Sequence, residues 1–166
     1  MGVLVEAFRY NKWANLHLLD VCATLPEKQL QLTAPGTYGT IAATWQHLVG
    51  AERRYLWRLG GDQGRFSVRH KLPGIAVLRE EAAVTGDHLI QVARRAKADA
   101  SVVSRWKEGA KKINVEVLLV QVLHHGNDHR THICSILGVH EIPYGDMDVW
   151  AYGDATGTIV PVSSKS

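Results

Sequence analysis

Four segments of this chain carry apolar residues at 3.6-residue spacing, and the stretches between them hold most of the glycine and proline. A segment patterned this way is stable only when its apolar stripe is buried against a neighbour. Four of them in 166 residues, with no convincing strand series, predict an all-α four-helix bundle with long crossover loops. The first segment runs from about Val3 to Thr24, with Leu4, Phe8, Asn11, Asn15, Leu18, Cys22 and Leu25 in register. Pro26 ends it by pushing Leu25 away from helical dihedrals. A crossover from Glu27 to Gly39, turning at Pro35-Gly36, leads to the second segment, Ile41 to Leu59. Thr40 is its expected N-cap and Gly60-Gly61 its stop. Its stripe is Ile41, Thr44, Leu48, Ala51, Tyr55 and Leu59.

The third segment, about Ile75 to Ala98, places Leu78, Ala82, Leu89, Val92 and Ala96 on one face and charges on the other. A polar connection through Lys111-Lys112 precedes the fourth, about Asn114 to Leu137, with Gly138 as its expected stop. From His140 onward the chain reads as irregular, with room for a short hairpin. Val149, Trp150, Tyr152, Ile159 and Val160 make this tail too apolar to stay unpacked, so it is expected across one end of the bundle. Residues 1–166 are the length of one domain.

The fourth segment carries the chemistry. Its stripe is Leu118, Val122, His125, His129, Ile133 and Ile136, so two histidines occupy positions where the period asks for core hydrophobes. Their i, i+4 spacing stacks the imidazoles on one helix face. Burying both is costly unless each ring nitrogen finds a partner, and a divalent cation partners both at once. His47, beside Leu48 on the inner face of the second segment, can supply a third nitrogen from across the core. Three protein nitrogens leave coordination positions open, as catalytic metal sites do. His132, one turn beyond His129, and Tyr55, on the second stripe, are expected to line the same cavity. The bland reading, that an inward histidine is a satisfied core residue, fits His47 taken alone. It fits less well when three such residues share inward stripes. His124 reads as a flank residue, and His17, His70, His88 and His140 as surface or loop residues.

Several chemistries are excluded by what is missing. Gly126 stands where a zincin needs glutamate, and no glutamate heads a Glu-x-x-His motif of the di-iron bundles. There is no Walker sequence, Gly-x-Ser-x-Gly elbow or closely spaced cysteine pair. Cys22 and Cys134 read as reduced helical residues. A net charge of +3 without an aromatic-interleaved basic stripe argues against a nucleic-acid partner. No apolar run approaches the roughly 18–20 residues that span a bilayer, so no membrane partner is expected. With no basic-then-apolar leader, the cytoplasm is the expected location.

Tyr10-Asn11-Lys12-Trp13-Ala14-Asn15, Ala43-Thr44-Trp45-Gln46-His47-Leu48, His124-His125-Gly126-Asn127-Asp128-His129-Arg130 and the tail Asp146-Met147-Asp148-Val149-Trp150-Ala151-Tyr152-Gly153 together resemble the DinB/YfiT-like metalloenzyme family. The resemblance covers nearly the whole chain. It implies a four-helix bundle whose metal, zinc or nickel, is held by one histidine of the second helix and two of the fourth: His47, His125 and His129. It also implies a homodimer and, in some relatives, transferase or isomerase activity with a low-molecular-weight thiol. Thr131 and His132 depart from the family's His-Arg-Gly-Gln ending.

The expected chemistry is activation of a thiol or water at an open three-histidine site, for attack on an electrophilic small molecule. Tyr55, His132 and Asp128 are the nearby groups that could move a proton. The competing expectation is a non-catalytic metal-binding bundle acting as a stress or regulatory adaptor.

Overall fold

The computed structural model describes residues 2–60, 73–106 and 108–162. Its elements in chain order are α1 (Val3–Ala23), α2 (Glu27–Leu30), α3 (Ile41–Arg58), α4 (Ile75–Arg95), β1 (Ser101–Trp106), β2 (Gly109–Asn114), α5 (Val115–Val139) and α6 (Val149–Ala155). The long helices close a ring in which α1 meets α4 and α5, and α3 meets the same two. Each buries the stripe its sequence called for. Phe8, Leu18 and Cys22 of α1, Ile41 and Leu48 of α3, Leu78 and Leu89 of α4, and Ile133 and Ile136 of α5 are almost fully inaccessible. Trp45 is fully buried as well, its indole Nε1 donating to Cys22 Sγ at 3.3 Å.

Helix termini follow local chemistry. Thr40 Oγ1 accepts from the Ala43 amide at 3.1 Å and caps α3, and Asn114 Oδ1 accepts from the Glu116 amide at 2.7 Å and caps α5. Gly60, with φ +75°, takes the left-handed turn after α3; Gly61 and His70 lie outside the described residues. Gly138 does not stop α5. The helix continues through it to Val139, and the chain reverses at Glu141, which has φ +56°.

The expectation of an all-α chain is corrected between 101 and 114. There β1 and β2 pair antiparallel in register Ser101↔Asn114 through Trp106↔Gly109, so the chain is mostly helical with one small two-stranded sheet. Val102, Val103 and Ile113 favour extended backbone, but the hairpin lies largely at the surface, with Val103 68% exposed. Its inward side is short, with Ser104 4% exposed and Val102 packed against the core, too few residues for an alternating pattern to stand out in the sequence.

The tail differs too. Residues 149–155 form α6, capped by Asp148 Oδ1 accepting from the Ala151 amide at 2.8 Å. This helix lies along the first half of α1 rather than forming a hairpin. Tyr152 is its buried anchor, packed edge-on against Tyr10 and Trp13 and donating its hydroxyl to Glu6. Trp150 is 74% exposed and Val149 and Val160 are nearly as open, so the apolar tail residues are not all packed. Among the described residues no helix is long and apolar enough to cross a membrane.

Candidate metal centre

α3 and α5 are neighbours in the ring, and their histidines meet where the two helices pack. His47 Nε2 stands 3.0 Å from His125 Nε2, and the three rings of His47, His125 and His129 have centroids 4.3–5.0 Å apart. One ligand nitrogen from each lies within 4.8 Å of the others. A tetrahedral zinc with bonds of about 2.0–2.1 Å holds its nitrogens roughly 3.3 Å apart, so the spread suits one ion. Two donor nitrogens facing each other at hydrogen-bond distance also make poor neighbours once both present lone pairs. A shared cation resolves that conflict.

Burial keeps these rings neutral. The pKa of His125 falls to about 4, first through burial and then through the nearby His129, His47 and Arg54. His47 and His129 are lowered as well, again chiefly by burial, while Asp128 pulls His129 the other way. At pH 7 all three therefore offer lone pairs, the form that binds metal.

The sequence did not single out Tyr38. It lies in the crossover between α2 and α3, where no periodicity marks it, yet its hydroxyl is 2.8 Å from His47 Nδ1. In the tautomer whose Nδ1–H donates to the tyrosine oxygen, His47 Nε2 is the free lone pair facing the site. Tyr38 also packs at a tilt against the His47 ring, with centroids 4.2 Å apart, while remaining half exposed. Tyr55 and His132 flank the set, 5.8 Å from His125 and 5.4 Å from His129 between ring centroids. His124, His88 and His140 are exposed, and His17 stacks on Trp13, so none of them joins the cluster.

Behind the histidines lies a buried polar core that the sequence reading passed over. Glu52 is 1% exposed; its Oε1 accepts from Asn11 Nδ2 at 3.0 Å and Asn15 Nδ2 at 2.9 Å, and its Oε2 from Thr85 Oγ1 at 2.8 Å. Arg130 Nη1 donates to the Oδ1 atoms of the same two asparagines, at 2.8 and 2.7 Å. Burial raises the Glu52 carboxyl and lowers the Arg130 guanidinium. Asn11 and Asn15 lie on the buried α1 stripe, as their spacing predicts, but Glu52 sits beside Ala51 with no sign of its role. Because Arg130 follows His129 directly, this network sets the rotation of α5 that turns His125 and His129 toward His47.

Gly126 is part of the same fit. A Cβ there would stand 2.6 Å from Asn11 Oδ1 and 3.1 Å from Arg130 Nη1. Gly126→Ala should therefore lower the unfolding free energy by about 1–3 kcal/mol, as overpacked cores do. That loss outweighs the helix propensity of about 1 kcal/mol that alanine adds. Urea unfolding measures it, and a midpoint at or above that of the unsubstituted protein would contradict the fit.

Similarity to known proteins agrees with this architecture. The DinB family model matches residues 1–142, from the start of α1 past the end of α5. The chain belongs to the DinB family. The crystal structure of a DinB-like protein from Bacillus cereus ATCC 10987 is similar with a TM-score of 0.66. At 16% identity, over 86% of this chain and 94% of that one, the likeness concerns the fold. No curated protein matches the chain. Within the DinB fold, the histidine cluster lies between α3 and α5, and its donors are compatible with a metal ion.

Proposed function

We propose that His47, His125 and His129 hold one divalent cation, zinc or nickel, in a single-domain four-helix bundle, and that the chain is a metal-dependent enzyme. The reading rests above all on three neutral imidazoles from two helices converging within 4.8 Å. When bound, such an ion supplies Lewis acidity that lowers the pKa of a thiol or of water. The residues do the rest. Tyr38 holds His47 in one tautomer, and Tyr55 and His132 edge the space a small-molecule substrate enters. A three-nitrogen set leaves open positions, which suits a transferase using a low-molecular-weight thiol, or a hydrolase, better than a saturated adaptor site. The electrophile accepting the sulfur or oxygen would be a small molecule, and the working unit a homodimer.

Zinc titration of the metal-free protein tests the cation. The unsubstituted chain should take up one tight equivalent, and His47→Ala and His125→Ala should each weaken that equivalent more than about 100-fold, beyond the cost of losing an outer-shell partner. Equal tight binding in all three proteins overturns the site. A transfer screen with several small thiols then separates the enzyme from the adaptor.

A further inference from the structure

His129 has neighbours on its other side. Asp128, His129 and His132 also bring one ligand atom each to within 4.8 Å of the others. Asp128 and His132 are one turn apart at i, i+4, and His129 and His132 are at i, i+3, so all three project from adjoining positions of α5. Asp128 is exposed, His132 half-buried and His129 only 6% exposed, which gives the group an open outer edge and a shielded inner one.

A second observation points the same way. The Nδ1 atoms of both His129 and His132 are shielded from solvent and have no hydrogen-bond partner, although the two rings lie 5.4 Å apart. A shielded ring nitrogen without a partner costs free energy whichever tautomer it adopts. The set His47–His125–His129 needs one nitrogen of His129 and makes no use of His132. It therefore leaves His132 Nδ1 without a role. Two imidazoles and a carboxylate make a common donor set for zinc and similar cations.

We propose that Asp128, His129 and His132 form a second divalent-cation site at the exposed edge of the histidine cluster, drawing on His129 as an alternative to the first set. The site is solvent-open and carries an acidic ligand. It binds more weakly than the all-imidazole set and takes its ion directly from solution. A neutral His129 has one lone pair and serves one cation at a time, so this site fills when the first set is empty.

The test uses the full chain with His47→Ala and His125→Ala combined, which disables the first set and leaves the second intact. This protein should still bind one equivalent of zinc, read by titration against a chromophoric chelator, and cobalt should give a visible d–d absorption. Adding His132→Ala should weaken that binding more than about 100-fold, and adding Asp128→Ala should weaken it clearly. Asp128 is exposed, so its substitution leaves the core undisturbed, and circular dichroism checks the fold of each variant. A folded double variant that binds no zinc overturns the second site. So does residual binding that ignores both His132→Ala and Asp128→Ala. His132→Ala alone should keep the tight equivalent. Loss of the tight equivalent in His47→Ala therefore reports on the first site, and loss of the residual one on the second.

Discussion

Arg130→Met should destabilise the protein by about 2–6 kcal/mol, because it leaves two buried amide oxygens without their donor, at roughly 1–3 kcal/mol each. The substitution removes a guanidinium that is 4% exposed, and with it the charge that offsets part of the burial-driven rise of the Glu52 carboxyl. Two amides lose their partner with it, because Asn11 and Asn15 each accept from Arg130 through Oδ1 while donating to Glu52 through Nδ2. Glu52 then takes up a proton more readily, so the loss should grow with rising pH. Adding Glu52→Gln to Arg130→Met should return part of the stability, since glutamine still accepts from both asparagines and no longer buries a charge. Urea unfolding of the two single variants and the double variant gives the coupling. Strict additivity would mean that the two groups do not act as a unit. Zinc affinity should fall in Arg130→Met as well, because α5 loses the contact with α1 that fixes its rotation.

The parts of this fold that could be read from sequence are those where burial imposes a period. The α5 histidines stood out because they fall at core positions of a helix, and His47 because Leu48 fixes the inward face beside it. Asn11 and Asn15 were visible as stripe positions. Their chemistry was not, since a buried amide is explained only by its partners, which come from α3 and α5, 37 to 119 residues away in sequence. Glu52 and Tyr38 carry no local signal, one hidden in a helix rich in charges and the other in a crossover loop. The hairpin at 101–114 was missed for the opposite reason. It is held mainly by backbone pairing, and only Val102 and Ser104 turn inward, too few for an alternation to be detected. Helix α6 is seven residues long with one buried side chain, Tyr152, too short for its period to show.

Acid should unfold the metal-free protein in a way that depends on the histidine cluster. In the unfolded chain each imidazole takes its proton near pH 6.5, whereas His125 in the fold resists protonation down to about 4, and His47 and His129 are also lowered. Between those limits the unfolded state binds more protons than the folded one, so stability is complete above about pH 6.5 and drains away as pH falls toward 4. Glu52 contributes with the opposite sign. Its raised carboxyl holds a proton that the unfolded chain releases, so its stabilisation is full below the ordinary carboxylate range and lost as pH rises through the folded value. A comparison with His125→Ala separates the two, because both proteins keep Glu52. The unsubstituted protein should lose more stability than His125→Ala on acidification from pH 7 to 4, and parallel melting curves would show that the rings are not held neutral. Zinc sharpens the contrast. At about 100 times its dissociation constant a ligand adds about 2.7 kcal/mol. That increment should be present at pH 7.5 and disappear toward pH 4 as protons displace the ion from the imidazoles. In His125→Ala the tight site's increment should be absent across the whole range.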